Sequence, residues 1–290
     1  MRRYSALVNP VSGDGTSASV WRQVASALHA QGIEVDTINT VSRDHAIAAA
    51  TQAAAEKRIV VAVGGDGLVR DVATAVAGSN GAMAIVPTGR GNDFARLRGI
   101  PSDPSLSAAM LLDGPIERID VAQINEVTVP GNVYVGVDSL ATRIINANRW
   151  VPALLLYRIA PVRALASWRS ARYTVTLDGA TRSFTGHTAV IANSGVYGHG
   201  LKIVPSAQLD DGRLDVMTIG DLRKSAIVSF MRQAKHGTHV SRSDITIERA
   251  HTVTVDCDRD VPVCADGDEI ATLPVTVRVR PRALPLVTPV

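Results

Sequence analysis

The segment that decides the fold is IVVAVGGDGLVRDVATAV, residues 59–76. It opens with a run of apolar, mostly β-branched residues and then passes through a glycine-rich turn. Beyond the turn, apolar residues recur three and four positions apart. This pattern predicts a strand over 59–63 and a helix over 68–76. Because a strand that leads directly into a helix is the building unit of parallel sheets, we predict an α/β fold around this segment.

The same alternation of short apolar runs and helical patterns continues up to about residue 115. The predicted strands are 4–8, 33–38, 59–63 and 82–86, and the predicted helices are 17–31, 43–56 and 68–76. After residue 120 the pattern changes to short alternating segments separated by turn residues. These lie at 173–177, 188–192, 214–219, 244–248 and 252–256. We therefore predict a Rossmann-like α/β domain followed by an antiparallel β-sandwich domain.

Residues 149–172 lie among these β segments but are helical in pattern. They mix large apolar side chains with several arginines, and Pro152 and Pro161 are expected to interrupt the helix. Two interpretations stay open. The segment is either a helix buried at the domain interface, or one whose apolar residues face a bilayer while its arginines meet anionic headgroups.

Length and charge limit the classes of protein that the chain can belong to. A chain of 290 residues favours two domains, and a net charge of +3 is too small to indicate nucleic-acid binding. No apolar run is long enough for a transmembrane segment, and the start lacks the apolar stretch of a secretion signal. We expect a cytoplasmic protein with peripheral contact at the inner membrane face. An exposed sandwich edge would permit a homodimer.

The turn GGDG, residues 64–67, is a candidate phosphate-binding loop. Backbone amides in a glycine turn can approach an anion closely, and the N-terminus of the following helix adds a positive partial charge. A glycine turn alone is equally a tight connection between a strand and a helix. Asp66 is costly beside a phosphate unless it holds a metal, so it favours Mg²⁺-nucleotide chemistry.

Two further polar turns follow predicted strands. NPVSG (9–13) follows the first strand, and PTGRGNDFAR (87–96) follows the strand over 82–86. Because the carboxyl ends of parallel strands share one edge of the sheet, we expect all three turns to converge where open α/β sheets bind ligands. Asn92 and Asp93 can alternatively cap the helix that follows them.

These three loops, in this order and spacing, resemble the signature loops of the catalytic domain of diacylglycerol, sphingosine and ceramide kinases. The segments IDVAQIN (119–125), YVGVDSLATR (134–143), PSAQLDDGRLDV (205–216) and ADGDE (265–269) extend the resemblance over essentially the whole chain. It implies a nucleotide-binding domain of residues 1–118 with the tail 281–290, and a β-sandwich lipid-substrate domain of residues 119–280. ATP would lie in the cleft between them, and its γ-phosphate would pass to a lipid hydroxyl at the membrane surface, diacylglycerol first.

The resemblance also assigns roles to single residues. The nucleotide would contact Asn9, Pro10, Ser12, Gly13, Thr40, Gly64, Gly65, Asp66, Gly67, Leu68, Arg90 and Asn92. An acidic group would surround the catalytic Mg²⁺, partly through water, and comprises Asp66, Asp93 and Asp120. A second, structural Mg²⁺ would be held by Gln208, Asp211 and Arg213, although the same residues also suit an ordinary Asp-Gly turn. Asp266 would be the general base, with Asp268 or Glu269 as alternatives in a shifted register.

Two positions depart from the family pattern. Leu68 and Arg90 stand where the family usually has threonine, and Arg70 stands where asparagine is common. Arginine binds phosphate oxygens well, so Arg90 and Arg70 can replace the missing hydroxyls. The opposite hypothesis is a non-catalytic nucleotide or lipid sensor of the same fold. A sphingosine-like lipid or a soluble alcohol, as in NAD kinase, also stays open as the acceptor.

Overall fold

A computed structural model describes residues 2–148, 150–198 and 200–290 of the chain. The chain forms two compact units. The first unit comprises Met1–Val121, Glu126–Thr128 and Pro281–Val290, and the second comprises Ala122–Asn125 and Val129–Arg280. None of the helices in the described ranges is long and apolar enough to span a membrane.

The first unit is a parallel sheet flanked by helices. Its main elements are β1 (Tyr4–Val8), α1 (Ser17–His29), β2 (Val35–Asn39), α2 (Arg43–Ala55), β3 (Ile59–Gly64), α3 (Asp66–Val76), β4 (Ala82–Pro87), α4 (Asp93–Leu97) and α5 (Pro104–Asp113). The strand order is β4-β3-β1-β2, and every pair is parallel. Strands β1, β3 and β4 are buried throughout, whereas the edge strand β2 is not. The predicted α/β alternation is confirmed.

Helix starts in this unit follow ordinary capping chemistry. The Ser42 hydroxyl accepts a hydrogen bond from the amide of His45 at the start of α2. The Asp103 side chain caps α5, a helix that the sequence analysis missed. Helix α3 begins at Asp66, two residues earlier than predicted, because Gly65 is extended and its carbonyl already accepts the amide of Val69.

The second unit consists mainly of antiparallel strands. Its elements, with β5 and β6 shared between the units, are β5 (Ile116–Ile124), β6 (Val127–Val129), β7 (Asn132–Gly136), α6 (Val137–Ala147), α7 (Ala153–Ser167), β8 (Ala171–Leu177), β9 (Ala180–Ala192), β10 (Val196–Tyr197), β11 (Leu201–Lys202), β12 (Leu214–Gly220), α8 (Ile227–His236), β13 (Ile245–Ala250), β14 (Thr252–Cys257), β15 (Val263–Ala265), β16 (Asp268–Ala271) and β17 (Val275–Val287). The long strand β9 pairs with β7, β8 and β12. The predicted antiparallel domain is confirmed.

Strand β17 passes from the second unit into the first. Its residues up to Arg278 pair with β14 in the second unit, where Val275 lies opposite Val255. Further along, Leu286 pairs in parallel with Met83 of β4 in the first unit. Residues Pro281–Val290 therefore belong to the first unit.

The helical segment predicted over 149–172 is largely one helix, α7. Pro152 lies just before it, and the helix continues through Pro161, so the expectation that Pro161 interrupts it is wrong. An interior proline costs about 3 kcal/mol. One face of α7 is buried, and this burial offsets the cost; the face consists of Leu156, Ala160, Ala164 and Leu165. Arg149, where the predicted segment begins, lies outside the described residues.

Candidate active site

Three loops of the first unit meet at the carboxyl ends of β1, β3 and β4. A Cβ added to Gly89 would lie 2.4 Å from the Cα of Gly65. A Cβ added to Gly13 would lie 2.2 Å from the carbonyl oxygen of Thr88. Backbones can approach this closely only where glycine removes the side chain. The structure thus brings the three loops together, as the strand order predicts.

Two carboxylates approach the third loop at Gly91. A Cβ on Gly91 would lie 2.7 Å from Oδ2 of Asp66 and 4.0 Å from Oδ2 of Asp93. Asp66 is the first residue of α3, and Asp93 is the first residue of α4. Carboxylate oxygens are the ligands that Mg²⁺ prefers, and this ion usually takes one or two of them together with water and phosphate oxygens. The pair therefore fits a Mg²⁺-nucleotide site.

Asp120, the third member of the predicted acidic group, makes a different contact. It lies in β5, is fully buried, and its Oδ1 accepts a hydrogen bond of 2.7 Å from the amide of Arg282. Within the part of the chain that the structure describes, no three acidic, histidine or cysteine side chains are grouped closely enough to hold a metal ion. A role for Asp120 at the catalytic metal stays a prediction. In the structure, its carboxylate binds the backbone of Arg282 in β17.

Asn92 fixes the shape of the third loop. Its backbone is left-handed, with φ of 53°, a conformation that asparagine tolerates better than most residues. Its Oδ1 accepts the amide of Gly89 at 2.9 Å, and its Nδ2 donates to the Gly89 carbonyl at 2.7 Å. The side chain does not cap α4, so the capping interpretation of Asn92 is wrong. Asn92 instead holds Gly89 against the second loop.

The first loop is held from both sides of β1. The hydroxyl of Ser17 donates to the carbonyl of Asn9 at 2.5 Å, and the Asn9 amide donates to Val63 of β3. Thr40 donates its amide to the carbonyl of Val8, so it lies beside the end of β1. Ser12 Oγ lies 3.9 Å from the Cβ position of Gly65. Of the predicted nucleotide contacts, Ser12 thus lies near the second loop, and Thr40 lies beside the end of β1.

The residues that depart from the family pattern have different environments. Leu68 is buried, and its Cδ2 would lie 2.9 Å from a Cβ on Gly64, so it packs against β3. Arg70 is also buried, with its Nη2 3.7 Å from Oδ1 of Asp71. Arg90 is exposed in the third loop. Of the two arginines proposed as phosphate ligands, only Arg90 is therefore exposed to solvent.

Thr88 is a site residue that the sequence analysis missed. It lies between Pro87 and Gly89, and its amide donates to the carbonyl of Gly64. Its hydroxyl is buried and has no hydrogen-bond partner among the described residues. A buried hydroxyl without a partner costs about 1–3 kcal/mol. The available signal was a hydroxyl residue inside a glycine-rich loop that follows a predicted strand.

In the second unit, Asp266 lies in the turn between β15 and β16. Asp266 and Gly267 both have positive φ, 47° and 88°, as in a two-residue type I′ hairpin. The Asp266 carboxylate accepts the amide of Asn132 at 3.1 Å and that of Gly131 at 3.3 Å. These two amides orient the carboxylate, and the role of Asp266 as the base stays a prediction. The turn is an Asp-Gly turn, and it also presents an oriented carboxylate.

Buried amides support the segment that binds Asp266. Nδ2 of Asn132 donates to the hydroxyl of Ser194 at 3.0 Å, and Nδ2 of Asn193 donates to the carbonyl of Pro130 at 2.7 Å. Asn132, Asn193 and Ser194 are all buried. Because these side chains come from β7 and from the end of β9, the position of Asp266 depends on strand pairing. The sequence analysis missed all three.

Glu269, the alternative base, forms an ion pair with Arg143. Both of its carboxylate oxygens lie 3.1 Å from Nη2 of Arg143, in an exposed ion pair. Asn146, also from α6, donates to the carbonyl of Gly267 at 2.8 Å. These contacts favour Asp266 over Glu269 as the base, and this choice stays a prediction.

The predicted second metal segment forms a tight turn before β12. Oδ1 of Asp211 accepts the amide of Arg213 at 3.0 Å, and Gly212 between them has φ of 71°. Oδ2 of Asp211 is buried and, among the described residues, has no hydrogen bond. Nη1 of Arg249 lies 3.8 Å from it. A carboxylate is a ligand that hard cations prefer, but Arg249 already supplies positive charge beside this one. The metal roles of Gln208, Asp211 and Arg213 stay predictions.

Another carboxylate of the second unit, that of Asp138, belongs to a polar cluster around the start of α6. Oδ2 of Asp138 accepts hydrogen bonds from the hydroxyls of Tyr197, at 2.7 Å, and Thr188, at 3.2 Å. The ring of Tyr134 stacks on that of Tyr197, with centroids 5.1 Å apart. Burial raises the pKa of the Asp138 carboxyl above its usual range. No part of the sequence analysis anticipated this cluster.

Two known domain families together match nearly the whole chain. Residues 3–124 match the family described as Diacylglycerol kinase catalytic domain, and residues 131–288 match the YegS C-terminal NAD kinase beta sandwich-like domain. These matches place the chain among kinases. The chain belongs to the diacylglycerol kinase-like family of lipid kinases, as the sequence resemblance implies.

Individual relatives match this chain in sequence over nearly their full length. A diacylglycerol kinase of Mycobacterium tuberculosis is 31% identical over 299 residues, which cover 99% of this chain and 95% of the relative. A diacylglycerol kinase of Bacillus subtilis is 27% identical, with 94% and 92% covered. A Klebsiella pneumoniae protein named "Probable lipid kinase YegS-like" is 26% identical, with 97% of each covered.

A solved structure supports the fold. The crystal structure of a diacylglycerol kinase from Bacillus anthracis superposes with a TM-score of 0.80 at 18% identity, over 99% of this chain and 97% of that one. At this identity the likeness concerns the fold alone. It matches the two architectures found here, a parallel α/β unit and a mainly antiparallel unit.

Proposed function

We propose that this protein transfers the γ-phosphate of ATP to a lipid hydroxyl, with diacylglycerol as the acceptor and phosphatidic acid as the product. One observation carries the proposal. Three glycine-bearing loops of the first unit meet at the carboxyl edge of its sheet, and Asp66 and Asp93 direct carboxylates to the same point. Amides, a helix N-terminus and paired carboxylates together suit a nucleotide bound with a divalent cation.

The first unit would hold the nucleotide. The N-terminus of α3 carries a positive partial charge, and the amides of the GGDG turn can donate to phosphate oxygens. The buried hydroxyl of Thr88 gains a partner if it donates to a phosphate. Thr88 and Arg90 can thus supply the donors that are missing where the family usually has threonine.

Asp66 and Asp93 would hold Mg²⁺, partly through water, and phosphate oxygens would supply further ligands. When bound, this ion would neutralise the charge that develops on the transferred phosphoryl group. The protein's own contribution is to place two carboxylates at helix N-termini, within reach of one point in the third loop.

Asp266 would act as the general base in the second unit. It would accept the proton of the lipid hydroxyl while that oxygen forms a bond to the γ-phosphorus. The bond from the γ-phosphorus to the bridging oxygen then breaks, and ADP leaves with that electron pair. The two amides on Asp266 fix its orientation, and a positioned base typically contributes about 10² to 10⁴ in rate.

A soluble alcohol is the second candidate acceptor. The observation that favours it is the match of residues 131–288 to an NAD kinase-like sandwich domain. A protein with this acceptor would turn over without detergent or vesicles, so the acceptor class can be separated by experiment.

The test is transfer of radiolabelled γ-phosphate from ATP, with Mg²⁺, to a panel of lipids in mixed micelles and to NAD in buffer. The expected result is labelled phosphatidic acid, with kcat lowered about 10²-fold or more in Asp266→Asn. The matched control is Asp178→Asn. Asp178 also has positive φ before a glycine, and its carboxylate also accepts two backbone amides, from His251 and Thr252.

Three results would overturn parts of the proposal. Equal loss of activity in Asp178→Asn and Asp266→Asn would reduce Asp266 to a structural residue. Labelled NAD without labelled lipid would replace the acceptor. Binding of ATP without transfer to any acceptor would favour the sensor hypothesis. No transfer and no binding of ATP would also favour it, and would assign the loss of nucleotide use to Leu68 and Arg90.

A further inference from the structure

Helix α7 has an exposed apolar row opposite its buried face. Leu155, Ile159 and Val162 are 50%, 49% and 56% exposed, whereas Leu156, Ala160 and Ala164 are buried. The exposed residues recur four and three positions apart, so they form one stripe along the helix. A stripe of large aliphatic side chains in water is unfavourable by about 25 cal/mol per Å² of apolar surface. We therefore expect the exposed stripe to contact an apolar partner.

The charge around this stripe is of one sign. Between Asp138 and Asp178 the sequence contains six arginines and no acidic residue. Arg158 and Arg163 lie on α7 and are exposed. Neither forms an ion pair with any residue in the described parts of the chain. The stripe is therefore flanked by cations whose charge is not neutralised by neighbouring carboxylates.

Trp150 precedes the helix and adds an aromatic side chain to this region. It is 84% exposed, whereas Trp21 and Trp168 are only 2% and 3% exposed. Tryptophan prefers the boundary between lipid headgroups and acyl chains. An exposed tryptophan, an aliphatic stripe and flanking arginines together are the composition of helices that lie in a membrane interface.

We propose that the outer face of α7, formed by Leu155, Ile159 and Val162 with Arg158 and Arg163, docks on a bilayer that carries anionic lipids. The inference rests on the proposed function in one respect, since a kinase of membrane lipids must meet its acceptor at a bilayer. The aliphatic stripe enters the headgroup region, and the arginines contact lipid phosphates. Each arginine near an anionic surface contributes about fivefold in affinity.

The first test measures docking without catalysis. The full chain is sedimented with phosphatidylcholine vesicles, with and without phosphatidylglycerol, in the absence of ATP and diacylglycerol. We expect binding to the anionic vesicles, weakened by high salt. The double substitution Ile159→Glu with Val162→Glu is expected to lower the bound fraction at least tenfold. Leu106→Glu is the matched control, because Leu106 is a 60% exposed leucine on another helix, α5.

Tryptophan fluorescence gives an independent readout. With anionic vesicles, emission should shift to the blue and be quenched by brominated lipids, and Trp150→Phe should abolish both changes. Transfer to short-chain diacylglycerol in detergent micelles then reports the kinase separately. Lost vesicle binding with retained micellar activity in the α7 variant supports the docking surface.

Two outcomes contradict the proposed surface. If the α7 variant and Leu106→Glu bind anionic vesicles as well as the wild type does, α7 is not the docking surface. If binding is equal on neutral and anionic vesicles, the arginines have no role in it. A protein that binds vesicles but never phosphorylates a lipid keeps the docking surface and overturns the kinase proposal instead.

Discussion

The loop edge of the first unit and the Asp266 hairpin of the second unit are built in different ways. At the loop edge, glycines at 13, 65, 89 and 91 let backbones and carboxylates approach closely. The proposed ligand contacts there are largely backbone amides. At the hairpin, one side chain is aimed by two amides, and buried asparagines hold the segment that carries them. Binding of a polyanion needs many donors in a small volume, whereas proton transfer needs one group in one orientation. Changes at the loop edge should therefore affect nucleotide affinity, and changes at the hairpin should affect turnover.

The largest effect is expected from Gly131→Ala. A Cβ on Gly131 would lie 1.8 Å from Oδ1 of Asp266, so the carboxylate must move. We expect kcat to fall by about 10² or more, in the range of a lost general base, with the KM for ATP nearly unchanged. Steady-state kinetics at varied ATP check this split. A KM that rises as much as kcat falls would show that the hairpin also positions the nucleotide.

Gly89→Ala tests the other half of the comparison. Its Cβ would lie 2.4 Å from the Cα of Gly65, and backbone atoms cannot move aside as a flexible side chain can. We expect the second and third loops to separate, at a cost of about 1–3 kcal/mol to folding and a rise of about tenfold in the Kd for ATP. Calorimetric titration with ATP and thermal unfolding measure the two effects. Gly99→Ala is the control for the Kd: Gly99 also lies in the first unit and a Cβ there would meet nothing within 4 Å. Its φ of 64° makes alanine strained there, so this variant should lose stability and keep its affinity for ATP.

A smaller effect is expected from Thr88→Val. The substitution keeps the shape of the side chain and removes the hydroxyl that has no partner among the described residues. Loss of one hydrogen bond of about 0.5–1.5 kcal/mol raises the Kd for ATP by about two- to tenfold. Stability without nucleotide should not fall, because no bond within the protein is lost. Unchanged affinity together with higher stability would mean that Thr88 is buried without contacting the ligand.

The smallest effect concerns the polar cluster at Asp138. Because burial raises the pKa of this carboxyl in the folded state, the folded chain binds the proton more tightly than the unfolded chain does. Its contribution to stability is thus greatest at low pH and is lost as the pH rises through the raised pKa. Asp138→Asn removes this dependence, so the Tm of the variant should rise relative to that of the wild type as the pH increases from about 4, the usual pKa of this carboxyl. A difference in Tm that stays constant as the pH rises from about 3 through neutral pH would contradict the shift.

The sequence predicted the first unit better than the second. Strand, turn and helix in residues 59–76 are local, so the periodicity of apolar residues and the glycines identify them directly. The three loops could be expected to converge because parallel strands end at one sheet edge. Asn132 and Asn193 could not be found in this way, because they hold Pro130–Asn132 through pairing between β7 and β9, which are distant in sequence.

Single side chains were harder to predict than elements. Asn92 occupies a capping position, yet its side chain bonds to Gly89, because a left-handed residue turns its amide back on its own loop. Pro161 suggested a break in α7 that packing of its buried face prevents. A hydrogen bond within the loop outweighed the capping preference of Asn92, and tertiary packing outweighed the cost of one interior proline.

The passage of β17 between the two units bears on how the chain is made. Ribosomes synthesise about 5–20 residues per second, so residues 281–290 follow Val121 by on the order of ten seconds or more. During that interval β4 has no β17 beside it, and a strand edge without its neighbour can pair with other chains. The parallel unit is started first and completed last, and its exposed edge during translation is a site where a chaperone would be useful.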